Sequence, residues 1–246
     1  MINRRARRTL TVLGLAGPLA SARAALDPGR CRDRRDQRHM HVLLAASLSP
    51  GSSCIDVGAN VGDVLAQIRR LAPQGRHVAF EPLPDLAAAL RAQFPEVDVR
   101  EAALAEEAGE AEFVHVVDRP GYSGLRERDY PGRLKTERIR VRIARLDDEL
   151  GPAYVPDLIK IDVEGAERAV IAGGLETIAR HRPLVVFEHG LGAAERYGTR
   201  PEQIHDLLVG QAGLQLFDID GRGPLSRDEL VETFEARTLW TFFARE

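Results

Sequence analysis

The stretch Cys54-Ile55-Asp56-Val57-Gly58-Ala59-Asn60-Val61-Gly62-Asp63 constrains this chain more than any other. A short apolar run breaks into a glycine turn, and helical spacing follows at once. That order is a strand handing over to a helix. In an open α/β sheet, such a turn sits at the carboxyl end of the strand, where ligands bind. Gly58 allows a left-handed turn, and Ala59 and Asn60 offer backbone N–H groups there. Asn60 is the expected N-cap, and Val61, Val64, Leu65, Ile68 and Leu71 then share one helical face.

The same order repeats downstream. Pro73-Gln74-Gly75 stops the first helix, and 77–81 is a second strand. Pro82 suits the first turn of a helix carrying Leu83, Leu86, Ala87, Leu90 and Phe94 on one face, and 97–100 is a third strand. Strand, helix, strand, helix, strand predicts an α/β fold with a parallel sheet and right-handed crossovers. The pattern resumes with a strand over 158–162, a helix over 164–179 with Ala166, Ala169, Val170 and Leu175 inward, a strand over 183–188 and a helix over 201–209. Two closing strands, 214–217 and 239–243, flank a helix over 226–234. Between the third strand and the resumption, 112–117 and 138–143 are strand-like with no crossover helix. Ile139, Val141 and Ile143 alternate with Arg138, Arg140 and Arg142, so one face is buried and one solvated. These two are predicted to be an inserted antiparallel pair. The loop between them, 118–137, has the length of a lid or a disordered segment.

Composition limits the function classes. The 246 residues, 44% hydrophobic and 29% charged, can bury a core of their own. A net charge of −3 makes no electrostatic case for nucleic acid. No run approaches the roughly 20 apolar residues of a membrane span. The two cysteines, Cys31 and Cys54, form neither a zinc set nor a disulfide framework, which points to a reducing compartment and a cytoplasmic location. Residues 1–30 are a basic leader: Arg4, Arg5, Arg7 and Arg8 precede an apolar run and Ala22-Arg23-Ala24. That order resembles a signal peptide, but the run is short and broken by Gly14, Gly17 and Pro18. Residues 31–246 form the domain, opening with a helix over 33–48.

Four places along the chain carry chemistry. A dinucleotide turn needs Gly-x-Gly-x-x-Gly; counted from Gly58, this chain has Asn60 and Asp63 at the second and third glycine positions. The turn therefore suits a nucleoside ligand without phosphates, of which S-adenosylmethionine is one. Glu81 ends the second strand about 20 residues past the turn, where an acidic residue accepts hydrogen bonds from ribose hydroxyls. In Leu158-Ile159-Lys160-Ile161-Asp162-Val163-Glu164-Gly165, a lysine within a central strand is expensive unless paired. Lys160 and Asp162 share one strand face and are the expected pair, and Asp162 and Glu164 reach the ligand rim. Glu188-His189-Gly190 ends the next strand at the same rim, and His189 is a candidate base for a hydroxyl proton. Two features are set aside. Asp218, Asp220, Gly223 and Glu229 fit positions 1, 3, 6 and 12 of a calcium loop, but Arg222 occupies position 5 and no metal is expected. Arginines 126, 128, 133, 138, 140, 142 and 145 are assigned to a solvated face rather than to an anionic substrate.

Four segments together, Ile55 to Gly62, Phe80-Glu81-Pro82, Leu146-Asp147-Asp148 and Leu158 to Gly165, resemble the FkbM family of class I S-adenosylmethionine-dependent methyltransferases. The similarity extends over residues 40–243. The resemblance implies a Rossmann-like, seven-stranded, mostly parallel sheet with helices on both faces and its last strand antiparallel. It implies S-adenosylmethionine as cofactor and methyl transfer, in many members to a hydroxyl of a natural product or sugar. By position, Asp56, Gly58, Ala59, Asn60 and Gly62 would hold the methionine end, Glu81 with Pro82 the ribose, and Asp162 and Glu164 would lie near the methyl. Ser123-Gly124-Leu125 only loosely matches a serine-rich patch of the family. The Asn-Pro-Pro-Tyr type motif of nucleic-acid amino methyltransferases is missing from the rim, which favours oxygen over nitrogen. The expected acceptor is a small molecule or glycan, with no nucleic acid and no membrane. The expected base is Asp162 or His189, then Glu164, with Lys160 orienting Asp162. The alternatives are N-methylation, metal-assisted O-methylation with Asp162 as ligand, a non-catalytic S-adenosylmethionine-binding domain and, weakest, an NAD-dependent dehydrogenase.

Overall fold

A computed structural model of the chain describes residues 28–246, with 131, 152 and 238 excepted and with side chains from Arg34 onward. The predicted leader lies outside the described residues except for 28–30, which open a helix earlier than expected, α1 (Pro28–Ser47). By its contacts the chain divides into 1–43 and 44–246.

The second unit alternates strands and helices as the apolar periodicity requires. In order these are β1 (Cys54–Val57), α2 (Asp63–Leu71), β2 (His77–Phe80), α3 (Pro84–Gln93) and β3 (Asp98–Arg100). Next come β4 (Ala103–Leu104), β5 (Gly109–Val116), β6 (Thr136–Ala144) and α4 (Leu146–Glu149). Then follow β7 (Leu158–Ile161), α5 (Glu167–Gly173), α6 (Leu175–His181) and β8 (Leu184–Glu188). The chain closes with α7 (Pro201–His205), which runs on as a π-helical segment Asp206–Gln211, then β9 (Gln215–Asp218), α8 (Arg227–Glu235) and β10 (Thr241–Arg245).

The main sheet has seven strands in the order β3-β2-β1-β7-β8-β10-β9, all parallel except β10, as expected. β1, β2 and β7 are buried along their whole length, so they read as continuous apolar runs. Ile55, Val57, Ile159, Ile161, Val185 and Phe187 are among the sheet residues of the main core, and each such side chain contributes about 1.5–3 kcal/mol on burial. The inserted strands β5 and β6 pair antiparallel, and β4, which the sequence pattern was too short to show, joins β6 to make a separate three-stranded sheet. Glu110 stands opposite Arg142 and Glu112 opposite Arg140, so the arginine face is a ladder of exposed opposite charges.

Two local expectations change. Helix α2 begins at Asp63, with Gly62 rather than Asn60 at its cap, and Val61 is exposed because it precedes the helix. The helix expected over 164–179 divides at Gly174, where an added Cβ would lie 2.7 Å from Leu146 Cδ2; the chain bends there so that Leu146 can pack. Asp147 accepts the Glu176 and Thr177 N–H groups at 3.2 and 2.9 Å and so starts α6.

Candidate active site

Register builds the first part of the site. Parallel pairing of β1 with β7 sets Asp56 beside Lys160, two charged side chains in the middle of a buried sheet. Lys160 Nζ lies 3.0 Å from Asp56 Oδ1 and donates to the Gly58 carbonyl at 2.9 Å; Asp162 Oδ2 is farther, at 3.8 Å. The expected partner was Asp162. Asp56 takes that place because it is a neighbour across the sheet rather than along the strand. Burial pulls the Lys160 ammonium down, but the Asp56 carboxylate, helped by Asp162, outweighs it and holds the group above its ordinary value. Lys160 therefore fastens the end of β1 to its glycine turn.

The turn is fastened a second time. Glu81 is 3% exposed; its Oε2 accepts the Asn60 N–H at 2.8 Å and its Oε1 the Leu83 N–H at 2.9 Å. Burial raises the Glu81 carboxyl above its ordinary value, against the lowering by those two N–H groups. The Gly58 and Ala59 N–H groups both go to the Phe80 carbonyl. The backbone donors of Ala59 and Asn60 are thus consumed inside the protein, contrary to the expectation that they face a ligand.

A cleft opens above this turn. Val57, Gly58 and Asn60 form one wall, and Glu81, Pro82 and Leu83 form the next. Ala102, Ala103, Leu104 and Phe113 make an apolar end, and Pro120, Gly121, Ser123 and Leu125 of the inserted segment close it over. The Ser123 hydroxyl is spent on the Val116 N–H at 2.9 Å, which pins the loop to β5. At the far end stand Asp162 and Glu164, and these same two residues line a second cleft with Arg128, Glu167, Glu188 and Trp240. Arg128 is ion-paired to Glu164 and lies over the Tyr122 ring, so this one arginine of the set reaches the site.

The expected residues divide accordingly. Gly58, Asn60, Glu81 and Pro82 line the first cleft. Asp56, Ala59 and Gly62 line neither: Asp56 is fully buried against Lys160, Ala59 is core, and Gly62 packs close to Leu90 and Phe94. Asp162 and Glu164 line both clefts, and Lys160 lies beneath them. His189 is displaced from the expected role. It is 1% exposed, stacks on Phe234 with centroids 4.8 Å apart, and has no ring hydrogen bond among the described residues. Burial lowers its pKa to about 4, so the ring is neutral and behaves as an aromatic filler.

Sequence reasoning missed Glu167 and Trp240. Glu167 precedes Val170 and Ile171 by three and four residues, so an acid on the inward face of that helix was a legible signal. Trp240, whose carbonyl accepts the His189 N–H at 2.6 Å just beyond the β8–β10 pairing, gave none. The calcium-like residues are occupied locally: Asp218 Oδ1 accepts the Asp220 and Arg222 N–H groups, and Glu229 completes a capping box with Ser226. Among the described residues, no cluster of three His, Cys, Asp or Glu is placed to hold a metal ion.

The first cleft fits S-adenosylmethionine in its donor set. The apolar end suits an adenine, Glu81 suits the ribose hydroxyls, and Asn60 Oδ1, buried and with no hydrogen-bond partner among the described residues, is an uncommitted acceptor in the same lining. The profile of the methyltransferase FkbM domain matches residues 56–215. The 2-O-methyltransferase NoeI of Sinorhizobium fredii is 31% identical over 152 residues, covering 54% of this chain and 61% of NoeI. The AMB antimetabolite synthetase AmbE of Pseudomonas aeruginosa is 30% identical over 200 residues, covering 65% of this chain and 9% of AmbE. The chain spans less than two thirds of the length of these curated relatives. The crystal structure of an FkbM methyltransferase from Methylobacillus flagellatus shares the fold, with a TM-score of 0.51 at 15% identity over 81% of this chain and 44% of that one. With the doubly fastened glycine turn lying inside the matched region, this chain belongs to the FkbM methyltransferase family, whose cofactor is S-adenosylmethionine.

Proposed function

We propose that the protein transfers the methyl group of S-adenosylmethionine to a hydroxyl oxygen of a small molecule or glycan held in the second cleft, in the cytoplasm. The observation that carries this reading is the position of Asp162 and Glu164 in the wall common to both clefts. When bound, the cofactor supplies a sulfonium-activated methyl group. The chain supplies alignment, exclusion of water and a proton acceptor. Asp162 is the base: its side chain is 37% exposed, its N–H is fixed to the Val57 carbonyl at 3.1 Å, and Lys160 Nζ steadies Oδ2. Glu164 is tied to Arg128 and shapes the passage between the clefts. The inserted segment covers the cofactor and keeps water from it.

Labelled S-adenosylmethionine incubated with fractionated extracts, followed by mass identification of the methylated product, tests the reading. With the unmethylated acceptor so identified as substrate, Asp162→Asn should lower turnover roughly 10²–10⁴-fold, the range for a general base, and full turnover in this variant would sink the assignment. His189→Leu should keep turnover and stability close to wild type, because the ring it replaces is a neutral, buried filler. A methylated amine is the second reading, favoured by the carboxylates Asp162, Glu164, Glu167 and Glu188 in the second cleft against Arg128; the mass of the product and its lability to acid or base distinguish the two. No described helix is long and apolar enough to cross a membrane.

A further inference from the structure

The 162–165 turn holds an unusual backbone. Glu164 has φ +56° and Gly165 has φ +108°. A non-glycine residue in the left-handed region is held there only when its surroundings over-determine it. Gly165 is hemmed from outside: an added Cβ would lie 2.7 Å from the Ala193 backbone and 2.9 Å from Tyr197 Cε2. From inside, one carboxyl oxygen does the holding. Glu167 Oε1 accepts the Gly165 N–H at 2.9 Å and the Val163 N–H at 3.4 Å, on either side of Glu164. Its side chain is 2% exposed, lies in the wall of the second cleft, and leaves Oε2 without a hydrogen-bond partner among the described residues.

We propose that Glu167 is the positioning residue of the second cleft: it clamps the 162–165 turn so that Asp162 and Glu164 face both clefts. This rests on the reading of the second cleft as the acceptor site. Two N–H groups converging on Oε1 fix the turn in either ionisation state, because a carboxyl and a carboxylate both offer that acceptor. The charge is the variable part. Burial raises the Glu167 carboxyl to about 7, with the Asp162 carboxylate adding to the rise and the Gly165 and Val163 N–H groups opposing it. Glu164, Arg128 and Glu188 line the same cleft, and Tyr197 faces Glu167 from the segment Ala194–Tyr197.

The test uses the full chain loaded with S-adenosylhomocysteine, with carboxyl-labelled Asp and Glu observed by NMR and amide exchange measured at Val163 and Gly165. In the wild type, Glu167 should titrate near neutrality. Glu167→Gln keeps the Oε1 acceptor, so both amides should stay protected, while their chemical shifts should lose the pH dependence that they take from Glu167 in the wild type. Glu167→Ala should speed exchange at Gly165 by about tenfold or more, as expected when a protecting bond is lost. S-adenosylhomocysteine should still bind within about threefold of wild type, a difference well under the 1.4 kcal/mol of a tenfold change. Unchanged exchange in Glu167→Ala, or Val163 and Gly165 amide shifts in Glu167→Gln that still follow the wild-type titration, would overturn the proposal. If Glu167→Ala does not fold, Glu167→Gln decides alone. None of the spectroscopic arms needs turnover, so a failure to find any methylated product would count against the proposed function without touching this clamp.

Discussion

Gly58→Ala is expected to weaken S-adenosylhomocysteine binding by about 100-fold or more, a loss near 2.7 kcal/mol, as read by calorimetry. The added Cβ would lie 1.9 Å from the Asp162 carbonyl oxygen, 3.0 Å from its carbon and 3.3 Å from Val163 Cγ1. The neighbour here is backbone of the second ligand turn and has no soft side-chain end to swing away. The residue also sits at φ +75°, which costs an ordinary residue roughly 1–2 kcal/mol. Relief requires the turns after β1 and β7 to part, and both line the cofactor cleft. Gly51→Ala is the control, since nothing lies within 4 Å of its added Cβ, and it should bind as wild type. Cofactor-product affinity unchanged in Gly58→Ala would show that the two turns are not in this contact.

Lys160→Met is expected to destabilise the fold by about 3–5 kcal/mol in urea unfolding, because it leaves the fully buried Asp56 carboxylate without its ion pair. The lysine's other bond, to the Gly58 carbonyl, goes with it, so cofactor binding should weaken in the same variant. Adding Asp56→Leu should restore most of the stability, since replacing both charges of a buried pair by apolar groups is often neutral. It should not restore cofactor affinity, because the Gly58 carbonyl stays unbound. A loss below about 1 kcal/mol in the single variant would mean that Asp56 is solvated or protonated in the fold. The pH dependence has a fixed direction. The Lys160 ammonium is held above its ordinary value of 10.5, so the pair's contribution is complete below that pH and is lost as pH rises above it.

Most of the scaffold was legible because it rests on local periodicity. The continuous apolar runs of β1, β2 and β7 and the alternation in β6 each name their own burial. What the pattern missed depends on contacts between distant segments. The pairing of Lys160 with Asp56 is set by the offset of β1 against β7, which no single strand reveals. The break at Gly174 comes from the approach of Leu146, and the loss of Asn60 as a helix cap comes from the bond that its N–H makes to Glu81. The site residues split along the same line. Glu81, Asp162 and Glu164 end strands and reach the rim by topology alone, so their places could be read in advance. His189 also follows a strand end, but its ring turns onto Phe234, and only the packing of α8 decides that. Glu167 is the converse case, an acid on an inward helix face that interrupts an apolar stripe and so is marked in the sequence only as its polar exception.

On the proposed reading Asp162 and Glu164 stand in the walls of donor and acceptor clefts alike, which makes them poor places from which to change the acceptor: each substitution there would perturb both sets of surroundings. On the same reading, selectivity is freest to drift at positions that line the second cleft and not the first, such as Leu191 and Trp240. A library that randomises this pair and spares the shared wall would sample new acceptors on an intact catalyst, and lineages that diverged in acceptor without losing the reaction would have varied along the same path.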